Sequence, residues 1–537
     1  MTVVDTSCGK VRGAVVGGVW RFFGVPYGQS TAGSRRFRPP EPARWGGTLD
    51  AVSQGPRAPQ ENTPPGPPHL IWNVDVSPVS EDCLRLNVWT RHLDAAAKLP
   101  VMVFLHGGGF RTGSSGSPIY DGHNLATRDV VLITVNHRLN VFGFLSLGDV
   151  SEQFSESGNV GMLDIVAALR WVRDNVRAFG GDPDNVTIFG QSGGGSKVGV
   201  LMAMPAARGL FHRAIAQSPS SLLRVATSDE ARLAREHLLI ELFGDGALGP
   251  DIVARLENLP VDQLVDGVRR AVRRAGGVYD FRPMVDGHVL QAHPFEPEAS
   301  SMAAAVPLII GWCETEQRLR FAGTPAILGQ TWDSAIESVA GFLGVGQREA
   351  VGLLKTYRAG RPADSPGDLV AQICGDQRYR RTATQVATLR GAAGHSPTYV
   401  YRLSWRTPVA GGSLRSPHTL CLPFSFANVD KAVALVGRGR EPRALQDAVS
   451  GAWVAFARTG VPYCPSTANW SEYRTPDRTT MIFDVHSRPE EDPGRAERLL
   501  LETMPGYAAS EVEGGRREDL IVRAATSCGD AEPSRTL

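Results

Sequence analysis

The stretch Gly190-Gln191-Ser192-Gly193-Gly194 constrains this chain more than any other. Before it runs Asn185-Val186-Thr187-Ile188-Phe189, a short apolar, β-branched run that reads as a buried strand. After it comes Gly195-Ser196-Lys197-Val198-Gly199-Val200-Leu201-Met202-Ala203-Met204, which reads as the start of a helix. A strand that turns through G-x-S-x-G into a helix lifts the serine hydroxyl clear of a sheet edge, as in a nucleophile elbow. The flanking glycines are expected to allow the sharp turn and to hold a strained backbone. Ser192 is the candidate nucleophile. Glycine is common here, 59 of 537 residues, so the pentapeptide alone would also suit an ordinary small-residue turn.

A second motif disfavours that bland alternative. Val101-Met102-Val103-Phe104-Leu105 reads as a buried strand and runs directly into His106-Gly107-Gly108-Gly109-Phe110. An H-G-G-G loop after a strand supplies backbone N–H donors to an oxyanion hole, joined by the N–H of the residue after the nucleophile. The donors here would be Gly108, Gly109 and Gly193. A phosphate-binding turn would want a helix start and a Lys-Ser/Thr pair, which Arg111-Thr112-Gly113-Ser114 does not provide. A β-lactamase-type S-x-x-K pattern also fails, because Lys197 lies five residues after Ser192. Between the strand-like runs Val130 to Val135 and Val186 to Phe189, the segment Leu163 to Phe179 has one apolar face at helical spacing. That is the pattern of a crossover between parallel strands.

Further blocks follow one another in a distinctive order. They are Gly24-Val25-Pro26-Tyr27-Gly28, Arg36-Phe37-Arg38-Pro39-Pro40, Glu81-Asp82-Cys83-Leu84-Arg85-Leu86-Asn87-Val88-Trp89, Asn136-His137-Arg138-Leu139-Asn140-Val141-Phe142-Gly143-Phe144-Leu145, Asn159-Val160-Gly161-Met162-Leu163-Asp164 and Phe179-Gly180-Gly181-Asp182-Pro183. With them the chain resembles the type-B carboxylesterases, which include cholinesterases, bacterial p-nitrobenzyl esterases and the catalytically silent neuroligins. The resemblance runs from about Cys8 to about Tyr507. It implies an α/β-hydrolase fold: a mostly parallel sheet, helices on both faces and catalytic loops at one edge. It implies a serine esterase acting on a small-molecule ester, with no cofactor. Residues 1–507 are expected to form one large domain. Insertions near 220–300, with Glu230 to Phe243 and Asp251 to Val272 as candidate helices, and near 320–395 would cover the active-site edge, and 508–537 would be a flexible polar tail.

The resemblance also nominates the rest of a triad. Ser416-Pro417-His418-Thr419-Leu420-Cys421-Leu422-Pro423-Phe424 matches the family's histidine loop, making His418 the base. His395 precedes a strand-like run and suits the role less well, and His106 belongs to the glycine loop. Pro307-Leu308-Ile309-Ile310-Gly311-Trp312-Cys313-Glu314-Thr315-Glu316 reads as a strand followed by a loop, where the family's acid maps to Glu316, with Glu314 as the alternative. Thr315 and Gln317 replace the family's neighbouring Asp and Gly. Three other departures stand out. Gln191 replaces a common glutamate before the nucleophile and removes a negative charge there. Gly193 replaces a small residue, often alanine. Cys421 replaces an acidic residue and is expected to pack in the core. Ser218 matches a buried family serine, expected to hydrogen-bond beside the triad.

Composition excludes several other classes. Net charge is +1, from 56 basic and 55 acidic residues, and no basic stretch interleaves with aromatics, so nucleic acid is not an expected partner. No apolar run reaches the ~18 residues of a membrane span. No metal-ligand spacing appears. The N-terminus has no apolar core of a secretory signal, and Cys83 has no upstream partner after Cys8. A free thiol and a cytoplasmic location are the expectation. Oligomeric state is not legible. Two other readings stay open at this stage. An acyltransferase or cyclase would share the acyl-enzyme chemistry. A silent binding protein would have lost the nucleophile this chain keeps. Trp72, in a proline-rich loop, and Trp312 are the aromatics that would hold a cationic substrate.

Overall fold

The structure, a computed structural model, describes residues 2–61, 75–219, 222–244, 249, 251–274, 281–322, 324–467, 469–475, 477–506, 519, 521–522 and 524–525. Strands β1 (Thr2–Thr6), β2 (Gly9–Val16), β3 (Val19–Pro26), β4 (Thr48–Asp50), β5 (Arg85–Thr90), β6 (Leu99–Leu105) and β7 (Val131–Val135) come from the first third of the chain. They are followed by β8 (Gly181–Gln191), β9 (Arg213–Gln217), β10 (Leu308–Cys313), β11 (Thr398–Leu403), β12 (Thr480–Phe483) and β13 (Arg488–Glu490). All join one sheet, in the order β1-β2-β3-β5-β7-β6-β8-β9-β10-β11-β12-β13, with β4 beside β2. From β7 through β12 every neighbouring pair is parallel. The outer strands pair antiparallel at both ends.

The parallel strands are apolar on both sides, which is why they read as continuous hydrophobic runs. Along β6, Val101, Val103 and Leu105 enter the core on one face, while Met102 and Phe104 enter the core on the other. The first of these cores receives Ile165, Val166, Leu169 and Val172 of helix α1 (Val160–Asn175). This is the expected crossover, carrying the chain from β7 over β6 to β8. The opposite core is closed by Ala452, Trp453 and Phe456, from the helix Arg440–Thr459.

Two buried ion pairs explain charged positions inside otherwise apolar motifs. Arg138, just after β7, makes a fork to Asp164 on α1 (2.8 and 2.6 Å), with both side chains buried. Arg36 makes the same fork to Glu81 (2.7 and 2.6 Å) and donates to the carbonyls of Leu256 and Leu259. Each guanidinium is thus matched in geometry as well as charge, which a buried pair requires. Cys83 is a buried free thiol, and burial pushes its pKa up.

Both segments expected as insertions contain helices. The first contains Ser228–Phe243, Ile252–Asn258 and Val261–Arg274. The continuous helix that the pattern suggests over 251–272 is broken at Leu259-Pro260. Leu259 is extended (ψ 136°), as a residue before proline prefers. The second segment includes Trp332–Leu343, Gln347–Gly360 and Pro366–Gly375, which have a core of their own around Val339, Leu353, Tyr357 and Leu369. Most of the expected tail, 508–537, lies outside the described residues, as does Trp72. Among the described residues no helix is long and apolar enough to cross a membrane.

Candidate active site

The sequence-nominated residues sit where parallel strands end. β6 runs into the His106–Phe110 loop, β8 into Ser192, β10 into Glu316, and the loop after β11 carries His418. In open parallel sheets this C-terminal edge is where ligands bind.

Ser192 sits between β8 and helix α2 (Gly193–Ala203) with φ 57° and ψ −125°, a strained conformation for a residue with a side chain. Its N–H donates to the Gln217 carbonyl (2.8 Å) and its carbonyl accepts from Ser196 N–H (3.0 Å). The strain therefore falls on the serine itself, and neither Gly190 nor Gly194 has a positive φ. Those glycines are needed for space. A Cβ on Gly194 would overlap the Leu105 carbonyl oxygen, and one on Gly190 would overlap Gly194. The elbow is pressed directly against the end of β6.

The same closeness builds the glycine loop. A Cβ on Gly193 would collide with the backbone of Gly109, so these two residues face each other with nothing between them. Gly108 (φ 89°) and Gly109 (φ 65°) both occupy the left-handed region. Their N–H groups donate to no described residue. Gly193 opens α2, so its N–H has no intrahelical acceptor. The Gly109 and Gly193 backbones thus meet at a helix N-terminus, where the helix dipole favours negative charge.

His106 starts the loop and stacks on His137 (centroids 4.9 Å apart, planes 10° apart). Each imidazole bonds a neighbouring carbonyl through Nδ1 at 2.8 Å. Burial holds both well below the usual histidine range, and the charge of Lys197 adds to it. His106 thus has a structural place in the loop. His395 lies apart, its N–H bonded to the Arg390 carbonyl.

His418 and Glu316 are joined by a hydrogen bond from Nδ1 to Oε2. Glu316 is buried, and its other oxygen accepts the Cys313 N–H (2.7 Å). The two loops are zipped together by Thr315 N–H to the Ser416 carbonyl (3.0 Å), Ser416 N–H to Thr315 Oγ1 (2.9 Å) and His418 N–H to the Glu316 carbonyl (3.1 Å). Thr315, where the family has Asp, therefore holds the histidine loop. Glu314 is not brought to the imidazole. Its N–H bonds Leu403 and its carbonyl accepts from Gln372.

In a neutral imidazole, donation from Nδ1 to Glu316 leaves the lone pair on Nε2. The group facing that lone pair is the Gln191 amide nitrogen, at 3.1 Å. Gln191 is 2 % exposed, so the side chain beside the nucleophile is buried and uncharged. Tyr379 packs its ring on the imidazole (centroids 5.0 Å, 35°) from a π-helical turn, Asp376–Arg380. Sequence reasoning did not single out Tyr379. The turn carries no motif, and a π turn has no periodicity to find.

Two expectations need correction. Ser218 is buried, yet its Oγ has no hydrogen-bond partner among the described residues, so it does not bond the triad in this structure. Trp312 is 2 % exposed within β10, packed in the core, and offers no open face to a cation. Cys421 is in the core as expected. Burial, then a hydrogen bond with the Cys421 thiol, pushes the neighbouring Cys313 thiol up. No cluster of three or more metal-ligating side chains occurs among the described residues.

Comparison with known proteins matches residues 1–499 to the model of the carboxylesterase family. The chain is 35 % identical over 512 residues to a para-nitrobenzyl esterase of Bacillus subtilis, covering 93 % of this chain and 98 % of that one. It is 33 % identical over 518 residues to a phenmedipham hydrolase of Pseudarthrobacter oxydans, covering 94 % and 99 %. Among solved structures, a carboxylesterase of Geobacillus stearothermophilus superposes with a TM-score of 0.80 at 35 % identity, covering 93 % of this chain and 100 % of that one.

Proposed function

The chain belongs to the carboxylesterase family, has the α/β-hydrolase fold and is a carboxylic-ester hydrolase; from that premise we propose that it works through an acyl-enzyme on Ser192. Ser192 Oγ attacks the ester carbonyl while His418 Nε2 takes its proton. The carbonyl oxygen becomes an oxyanion and is received by the N–H groups of Gly108, Gly109 and Gly193. Collapse breaks the bond to the alkoxy oxygen, and His418 returns the proton to the leaving alcohol. Water then attacks the acyl group with the same histidine as base, releasing the acid and restoring the serine. Glu316 fixes the histidine tautomer and stabilises the imidazolium.

The observation that carries this reading is the imidazole between two fixed groups. Glu316 holds Nδ1, and Nε2 points to the elbow residue next to Ser192. The Gln191 amide occupies that lone pair at rest, so the hydroxyl must take its place when substrate arrives. Because Gln191 is buried and neutral, the site prefers neutral esters to choline-type esters of equal size.

The test is turnover of p-nitrophenyl esters by wild type and Ser192→Ala. The variant should fold and lose ~10⁴-fold or more in kcat, leaving only binding and the oxyanion hole. A folded variant within tenfold of wild type would end the proposal.

A further inference from the structure

Lys197 is fully buried in the second turn of α2. It lies five residues after Ser192, a spacing that does not fit S-x-x-K. Its position is nonetheless specific. Nζ donates to the His106 carbonyl (2.9 Å) and lies 5.6 Å from the centroid of the Phe110 ring. His106 and Phe110 are the first and last residues of the segment that contains Gly107, Gly108 and Gly109. One ammonium therefore touches both ends of the loop that carries the unpartnered Gly108 and Gly109 N–H groups.

We propose that Lys197 is a positioning residue for ester hydrolysis: its ammonium pins the His106–Phe110 loop from beneath and adds a fixed positive charge behind the oxyanion site. Two physical effects follow. Gly108 and Gly109 are free to populate many backbone conformations, and only one directs both N–H groups at the reacting oxygen. A charge-assisted hydrogen bond at one end and a cation–π contact at the other select that conformation before substrate binds. The second effect is electrostatic. Lys197 is fully buried, so solvent screens its charge less and it interacts with developing negative charge more strongly than it would in water. A neutral ester gains little from it, whereas the tetrahedral oxyanion gains much, so the benefit falls on the chemical step. The stacked pair His106 and His137, both kept neutral, leaves Lys197 as the charge that acts from this side of the loop.

The inference rests on the oxyanion role proposed for this loop, and the experiment separates the two. Lys197→Met replaces the ammonium by an uncharged chain of similar length. Lys197→Gln keeps an N–H donor for the His106 carbonyl without the charge. Both are compared with wild type for kcat and KM on a neutral p-nitrophenyl ester. Inhibition by an alkyl trifluoromethyl ketone, which adds to the serine and places an oxyanion in the hole, is measured alongside. The expected result is a ~10- to 100-fold fall in kcat and in ketone affinity with KM within about threefold, somewhat below the loss of a direct oxyanion donor. A role in stability alone would lower the melting temperature and leave both quantities within twofold, which overturns the proposal. Lys197→Gln decides if Lys197→Met does not fold. Failure of both to fold assigns the lysine to stability and overturns the proposal as well. If the ketone binds Ser192→Ala as tightly as wild type, the oxyanion role of the loop falls. If its binding needs Ser192 but ignores Lys197, this inference alone falls.

Discussion

Glu316 and Glu314 lie two residues apart and meet very different surroundings. Glu316 is buried against His418, while the side chain of Glu314 has no bond to the imidazole. Glu316→Gln should therefore cost up to ~10⁴-fold in kcat, through loss of imidazolium stabilisation and a wrong tautomer, and Glu314→Gln should cost little. Parallel kinetics of the two variants check this, and a larger loss from Glu314→Gln would contradict it. Gln191 is the other decisive residue. A carboxylate there, about 4 Å from a cationic group, would contribute ~4 kcal/mol at an effective dielectric of 20. Its absence, with a net charge of only +1, gives no steering of cations. Wild type should prefer a neutral ester to a choline ester of equal size in kcat/KM, and Gln191→Glu should shift the ratio toward the cation. A wild-type preference for the choline ester would contradict the neutral-substrate reading. Serine, histidine and the glycines were legible because each sits in a short pattern with a geometric purpose. Tyr379 and Lys197 were not, because their roles come from contacts across 39 and 91 positions of sequence.

Elements were legible where one rule dominates. β6, β7, β8 and β10 are buried on both faces, so their apolar runs announced them. The crossover α1 kept its helical stripe because one side packs on the sheet. The elbow shows the limit. Its pattern marks the turn, but the reason for the glycines differs from the expectation. The strained φ belongs to Ser192, and the glycines clear room for Leu105 and for each other. Sequence spacing shows which residues must be small and does not show which neighbour demands it. Pro260 splits a stretch whose periodicity reads as one helix, since apolar spacing survives a break of a residue or two.

For the whole molecule, the resemblance gave the family and the fold, and the comparisons bear out both. The charges within the family motifs had no explanation until Arg36–Glu81 and Arg138–Asp164 appeared as buried forks. Buried histidines then tie global stability to pH. His106 and His137 have folded-state pKa values below the unfolded value of about 6.5. As pH falls through 6.5 the unfolded chain takes up protons that the folded chain refuses. Their stabilisation is thus fully present above about pH 6.5 and is lost on acidification. Each contributes a loss of about 1 kcal/mol between pH 6.5 and 5.5. Denaturant unfolding at the two pH values should show His137→Gln losing about 1 kcal/mol less than wild type over this interval. Equal losses would place the pH sensitivity elsewhere.

The central claim, that hydrolysis passes through an acyl-enzyme on Ser192, is tested most directly by covalent labelling of the intact protein. A fluorophosphonate should add one adduct per chain by intact mass, abolish esterase activity in step, and map to the peptide containing Gly190-Gln191-Ser192-Gly193-Gly194. Ser192→Ala should show no adduct. An adduct on another residue that accompanies loss of activity, or full labelling of Ser192→Ala, would contradict the account.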